Sequence, residues 1–114
     1  MLIAYRLAGE RKDRVCFTRN LSVNGLLLEV TERIPPSTAL AMTCHMPIDR
    51  TTRTRQDIRL HATVQWVEQQ LTSSRPPQRL RYLVGVTIDW MDSRDQESWT
   101  EYVTRRLSQS TKHS

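Results

Sequence analysis

Residues 19–30 read Arg19-Asn-Leu-Ser-Val-Asn-Gly-Leu-Leu-Leu-Glu-Val30, and the rest of the chain is organised around this stretch. A polar turn from Asn20 to Gly25 leads directly into three consecutive leucines. Turn-forming residues followed by such a run are typical of a tight connection that feeds a buried strand. Asparagine and serine side chains in the turn can hydrogen-bond to nearby backbone groups. The stretch therefore predicts a hairpin turn followed by a strand over Gly25–Thr31.

Alternation of apolar and polar residues predicts five further strands on either side of this turn. They are Leu2–Leu7, Val15–Asn20, Ala39–Met46, Ile58–Glu68 and Arg79–Asp89. The alternation places Trp66 on the inward face of the fifth strand, and Leu80, Tyr82 and Ile88 on the inward face of the sixth. Charged or Pro-rich connections are predicted over residues 8–14, 47–56 and 71–78. Six short strands joined by turn-rich loops predict an all-β barrel or sandwich.

The last segment changes to a helical period. Ser93 and Gln96 have the spacing of a capping box, and the next apolar residues recur every three or four positions. An amphipathic helix is therefore predicted over Arg94–Ser108, with Trp99, Tyr102, Val103 and Leu107 on its buried face. We expect residues 1–108 to form a single domain and residues 109–114 to form a disordered tail.

Composition favours a soluble, folded domain. Of 114 residues, 38% are hydrophobic and 25% are charged, and the net charge is +5. No apolar run is long enough to cross a membrane, and the first residues lack the features of a signal peptide, so a cytoplasmic location without membrane insertion is expected. The basic balance permits an anionic ligand without specifying one.

Neither metal binding nor catalysis is expected. Cys16 and Cys44 are predicted to be buried free thiols, and the paired spacings of a zinc site are missing although His45 follows Cys44. No nucleophile, base and orienting group can be assembled from the sequence, so the chain is not expected to be an enzyme. A single-stranded nucleic acid is disfavoured as a ligand, because Trp66 and Tyr82 are predicted to point inward.

The turn also matches a longer pattern, Asp/Asn-x-Ser-x-x-Gly, over Asn20-Leu-Ser-Val-Asn-Gly25. Together with the first hairpin, Tyr5-Arg-Leu-Ala-Gly9, and the segments Val64-Gln-Trp-Val67 and Val84-Gly-Val86, it makes the chain resemble the PilZ domain family. These are small β-barrels that bind the bacterial messenger cyclic di-GMP. The resemblance covers nearly the whole chain. It implies a six-stranded antiparallel barrel of split-barrel type with a C-terminal helix.

The resemblance also implies roles for individual residues. Asn20 and Ser22 would hydrogen-bond to the ligand, and Gly25 would allow close backbone approach. Family receptors add an Arg-x-x-x-Arg segment just before the first strand, which this sequence does not show. Arg11-Lys-Asp-Arg14 is predicted to lie roughly 20 Å from Ser22, at the far end of the first hairpin. Arg19 and Arg6 are the better candidates for ligand contact.

Two functional hypotheses follow. In the first, the chain is a cytoplasmic receptor or adaptor that uses cyclic di-GMP as a regulatory ligand, without a cofactor. It would then act through a protein partner on motility, secretion or exopolysaccharide output. In the second, it is a degenerate PilZ module that binds proteins but not the nucleotide. An upstream arginine pair in a longer chain favours the first, and its absence favours the second. Self-association is compatible with both.

Overall fold

Six strands and one helix make up most of residues 1–47, 55–71 and 80–111, which are the residues that the computed structural model describes. The elements are β1 (Leu2–Leu7), β2 (Arg14–Leu21), β3 (Gly25–Val30), β4 (Ala39–Pro47), β5 (Arg55–Leu71), β6 (Leu80–Met91) and α1 (Ser93–Thr111).

The strands form a closed barrel in the order β1-β2-β3-β6-β5-β4. Every neighbouring pair is antiparallel. Ile3 shows the closure, because it pairs with Cys16 of β2 on one side and with Cys44 of β4 on the other. The predicted six-stranded antiparallel barrel with a C-terminal helix is confirmed.

Alternate side chains of all six strands fill the barrel. Ile3, Leu28, Leu60 and Val84 are fully buried there, as period-two strands with one apolar face require. Helix α1 adds Trp99 and Val103 to the same core. Its first turn is also tied to β5, since Gln56 Nε2 donates to Asp95 Oδ1 at 3.2 Å.

The start of α1 differs from the predicted capping box. Asp92, not Ser93, is the N-cap, because its Oδ1 accepts from the Arg94 backbone N–H at 3.0 Å. Its carbonyl accepts from Asp95 and Gln96. The Gln96 side chain donates to the Met91 carbonyl at 3.2 Å. A carboxylate at this position also complements the helix dipole, which explains the preference for aspartate.

The ends of several elements also differ from the prediction. Strand β5 runs from Arg55 to Leu71, and α1 continues to Thr111, three residues beyond the predicted end of the helix at Ser108. Most of the two predicted long loops and Arg79 of the sixth predicted strand fall in residues 48–54 and 72–79. These residues lie outside the described part of the chain, as do residues 112–114 and the side chain of Leu107.

Two side chains predicted to point into the core are exposed. Leu80 is 46% exposed because β3 ends opposite Tyr82, and beyond that pair β6 has only β5 as a neighbour. Trp66 is 45% exposed because a β-bulge between Val64 and Trp66 shifts the register of β5 against β6. One extra residue in a strand turns the following side chain to the opposite face.

Candidate functional site

Hydrogen bonds hold the turn Asn20–Gly25 in place. The Ser22 backbone N–H donates to the Gly25 carbonyl at 2.9 Å, and Ser22 Oγ donates to the same oxygen at 3.3 Å. Asn20 Oδ1 accepts from the Leu21 N–H at 2.9 Å. The Asn24 carbonyl accepts from the Ile88 N–H at 2.8 Å, which ties the turn to β6. The turn therefore presents a fixed set of polar groups to solvent.

Glycine is required at position 25 by close packing. A Cβ there would lie 2.6 Å from the carbonyl oxygen of Val86 on the neighbouring strand. Such a distance is too short for carbon and a backbone oxygen, so a side chain would force β3 and β6 apart. Among the described residues positive φ is confined to Gly9 and Ser37, so Gly25 is not needed for a left-handed backbone.

An open cavity of about 280 Å³ lies on the outer surface of the barrel beside this turn. Three of the predicted site residues, Asn20, Ser22 and Gly25, line it. The other lining residues are Leu21, Leu26, Leu27, Gln65, Trp66, Gly85, Val86 and Thr87. The cavity thus combines hydrogen-bonding groups from the turn with side chains from β5 and β6, which are distant in sequence.

The floor of the cavity is one row of paired residues across four strands. Asn20 of β2 pairs with Leu27 of β3, Leu27 pairs with Gly85 of β6, and Gly85 pairs with Trp66 of β5. A Cβ on Gly85 would lie 2.3 Å from Cε2 and Nε1 of Trp66, so the indole ring occupies the space above this glycine. Two bulges bound the row, one between Thr18 and Asn20 and one between Val64 and Trp66.

Two cationic groups lie outside the cavity lining, on Glu29 of β3. Glu29 holds two arginines: Arg81 Nη1 lies 2.9 Å from its Oε1 and Arg19 Nη1 lies 3.4 Å from its Oε2. These contacts lower the pKa of Glu29 below its ordinary value of 4.5, with the Arg81 hydrogen bond as the main cause, so the carboxylate is ionised at neutral pH. Glu29 is two residues from Leu27 along β3, about 7 Å away. The guanidinium groups therefore lie within reach of a molecule that extends beyond the cavity.

Arg6 is not part of this arrangement. Its guanidinium bonds Asp13 through Nε and Nη2, both at 2.8 Å. Since Tyr5 pairs with Arg14, Arg6 lies near the closed end of the first hairpin. That position is about seven residues, or about 23 Å, along the strands from Asn20. The structure brings together Asn20, Ser22, Gly25 and, at the edge, Arg19, but not Arg6.

Sequence reasoning missed Trp66, Gln65 and Thr87, which line the cavity, and also Arg81, which contacts Glu29 outside the lining. Alternation assigns Trp66 to the core, and the bulge that exposes it leaves no mark in the sequence. Thr87 and Arg81 reach the site only through the β3–β6 pairing, which joins residues about 50–60 positions apart. In the sequence, the segments around Trp66 and Gly85 are marked only by the family resemblance.

The two thiols lie inside the barrel, away from the cavity. The predicted burial of Cys16 and Cys44 is confirmed, and desolvation raises the pKa of each to about 12. Within residues 1–47, 55–71 and 80–111, no group of three or more His, Cys, Asp and Glu side chains is arranged to hold a metal ion. In the same part of the chain no helix has the length and apolarity needed to cross a membrane.

Comparison of the chain with protein-family models, with curated proteins and with solved structures gives no match in any of the three.

Proposed function

We propose that the chain is a small receptor or adaptor of the PilZ type that binds cyclic di-GMP in the cavity beside the turn Asn20–Gly25. One observation carries this proposal: the residues that match the motif, Asn20, Ser22 and Gly25, line a single open cavity. Asn20 and Ser22 each keep hydrogen-bonding capacity beyond the contacts that they make within the turn.

The polar groups of the cavity suit a nucleotide. Because Asn20 Oδ1 accepts from Leu21, the NH2 group of this amide is left to donate, and no described residue accepts from it. Ser22 Oγ donates to Gly25 but keeps lone pairs for accepting. Gln65 and Thr87 line the same cavity. Donors and acceptors next to a flat apolar floor fit the edge and face of a nucleobase.

Positive charge for the phosphates would come from Arg19 and Arg81, which both contact Glu29. Both guanidinium groups are exposed and share one carboxylate, so the cluster keeps a net positive charge. Planar guanidinium groups bind phosphate oxygens in a bidentate manner and more strongly than neutral donors do. The cluster therefore supplies the positive charge that the motif turn alone lacks.

Regulation would act through the segment next to the turn. The Met1 carbonyl accepts from the Thr18 N–H at 3.1 Å, so the start of β1 lies beside β2 close to Asn20. Ligand in the cavity would favour one arrangement of this surface over another. It would thereby change the surface that a protein partner contacts. Such a shift requires the ligand to bind the two arrangements with different affinity. Motility, secretion or exopolysaccharide production would be the outputs, as in the family.

A second candidate is an adaptor that works by protein contact alone. Val15 and Phe17 are 63% and 64% exposed on the outer face of β2. Leu2 pairs with Phe17 and Ala4 pairs with Val15, which extends the apolar surface onto β1. Contiguous exposed apolar side chains are typical of interaction surfaces. This observation favours a protein partner whether or not a nucleotide is bound.

Calorimetric titration with cyclic di-GMP separates the two candidates. The receptor predicts micromolar binding that Ser22→Ala weakens about 2- to 10-fold, the value of one lost hydrogen bond. Ser93→Ala, which removes an exposed hydroxyl at the start of α1, is the matched control and should leave affinity unchanged. Absence of heat from folded protein at millimolar ligand would contradict the receptor and leave the adaptor.

A further inference from the structure

One side of the second half of β5 has no partner strand. The pairing of β5 with β4 ends at Thr63, and Val64 then bonds the backbone of residues 37–38. Beyond Val64, no described residue pairs with β5 on that side, whereas β6 covers the other side as far as Leu71. Residues 65–71 therefore form an edge strand at one end of the closed barrel.

The register shows which backbone groups face this open edge. The Ile88 N–H donates to the Asn24 carbonyl, on the β3 side of β6. Alternate residues of an antiparallel strand bond opposite neighbours, so Leu83, an odd number of residues away along a regular ladder, bonds β5. Leu83 lies opposite Glu68, and the backbone groups of Glu68 therefore face β6. The open edge receives the N–H and C=O groups of Val67, Gln69 and Leu71.

The side chains beside this edge do little to protect it. Unpaired strand edges can pair with another chain, and charged residues are a common protection against such pairing. Within residues 65–71, Glu68 is the one charged residue. Leu71 is 61% exposed, and Leu80, opposite it on β6, is 46% exposed. The edge thus offers both backbone hydrogen-bonding groups and an apolar surface to a further strand.

We infer that this edge of β5 pairs with the same edge of a second copy of the chain, antiparallel about a two-fold axis at Gln69. Val67 then lies opposite Leu71 of the second copy, and Gln69 lies opposite its own counterpart. The backbone groups that face the edge meet on the two chains, and each pair can exchange both hydrogen bonds. The inference goes beyond the proposed function, because residues 67–71 do not line the cavity.

The side chains are complementary in this register. Val67 and Leu71 form an apolar contact twice by symmetry, which covers part of the exposed leucine. On the other face Glu68 lies opposite Gln70, whose amide can donate to the carboxylate. An axis at Glu68 would instead place two carboxylates directly opposite each other, which is destabilising. An axis at Gln70 would place the polar Gln69 opposite Leu71. The sequence therefore favours the axis at Gln69.

Sedimentation velocity of the full chain tests the inference. Because the paired edge is short, the dimer should be weak and reversible, with about twice the chain mass of 13.4 kDa at about 0.5 mM protein and the monomer mass at about 5 μM. A chain that stays monomeric at about 1 mM would overturn the inference.

Two variants of Gln69 separate backbone pairing from side-chain contact. Gln69→Pro removes the N–H that faces the open edge, a change that edge strands tolerate, and it should abolish the dimer. Gln69→Ala keeps this N–H and is the matched control, with a dissociation constant within about 3-fold of the native one. Circular dichroism establishes that each variant is folded. If Gln69→Pro does not fold, Leu71→Lys replaces it, since the exposed lysine would lie against Val67 of the second copy. A dimer that survives the folded variant would place the contact elsewhere on the barrel and overturn the inference.

Disulfide cross-linking tests the register. At the two-fold axis the Cα atoms of the two Gln69 residues would lie about 5.5 Å apart, within the range that a disulfide spans. Gln69→Cys should therefore form a covalent dimer under mild oxidation, which a non-reducing gel detects. Glu68→Cys is the matched control, because its two copies are offset along the strands and should cross-link more slowly. The native thiols are buried. Equal or faster cross-linking of Glu68→Cys would contradict the axis at Gln69.

Discussion

The indole ring of Trp66 fills the space directly above Gly85, where a Cβ atom would come within 2.3 Å of the ring. Glycine and tryptophan are thus complementary across the β5–β6 pair. Their contact sets the floor of the cavity that also contains the motif turn. A substitution at Gly85 should therefore act on the cavity and hardly at all on the barrel core.

We predict that Gly85→Ala leaves the protein folded but displaces the ring of Trp66. The clash is with an exposed side chain that can move, so the expected change in the free energy of unfolding is about 1 kcal/mol or less. The displaced indole should become more accessible, which acrylamide quenching of tryptophan fluorescence measures. The same measurement on Gly85→Ala with Trp66→Phe provides the background. Unchanged quenching would show that the ring does not depend on the glycine.

Gly25→Ala should be more harmful than Gly85→Ala. The new Cβ would meet the backbone oxygen of Val86 at 2.6 Å, and a backbone group in a paired strand cannot turn aside. Overpacking of this kind costs about 1–3 kcal/mol. Urea unfolding of the two variants side by side tests the difference. Equal stability of the pair would mean that β3 and β6 separate more easily than the pairing suggests.

The two arginines that contact Glu29 should differ from Arg6 in their effect on binding. Arg81→Ala and Arg19→Ala should each weaken cyclic di-GMP binding about 10-fold or more, because each removes a charge-assisted contact to phosphate. Arg6→Ala removes the same charge about 23 Å away and should have little effect at 150 mM salt. Calorimetry at that salt concentration tests all three. If Arg6→Ala weakened binding as much as Arg81→Ala does, the ligand would have to bind away from the turn.

The buried thiols should be unreactive in the native protein. Cys16 and Cys44 are buried and each has a pKa of about 12. At pH 8 the two thiols are therefore neither ionised nor accessible to a disulfide reagent. Both should react once the protein is unfolded in urea. Since the folded pKa values lie above the ordinary value of 9.0, the thiols favour the folded state fully below pH 9, and this stabilisation is lost between about pH 9 and 12. Rapid modification at pH 8 without urea would contradict their burial.

The sequence predicted the strands and the barrel because their signals are local. Alternation in β1, β4 and β6 depends only on neighbouring residues, and most predicted boundaries lie within one or two positions of the observed ones. The N-cap was misplaced by one residue because Asp92 and Ser93 are both good caps. Only the backbone direction decides which of them accepts from Arg94.

The candidate site could be predicted only where it is continuous in sequence. Asn20, Ser22 and Gly25 lie in one turn and were found together. The rest of the site depends on register between strands, which no local pattern encodes. The bulge before Trp66 turns its side chain from the core to the outer surface of the barrel. The contact between Arg81 and Glu29 joins residues 52 positions apart. Arg6 lies away from the other predicted site residues for the same reason, since its place opposite β2 depends on where the first hairpin closes.

The glycine amide signals offer the most direct test of the central claim, that the cavity beside the motif turn binds cyclic di-GMP. The chain has three glycines, of which Gly25 and Gly85 line this cavity and Gly9 lies at the closed end of the first hairpin. In a nitrogen–proton NMR titration of the labelled protein, we predict that the Gly25 and Gly85 signals shift with added cyclic di-GMP and that the Gly9 signal stays in place. Saturating ligand that leaves Gly25 and Gly85 unmoved, or that shifts Gly9 instead, would contradict the account.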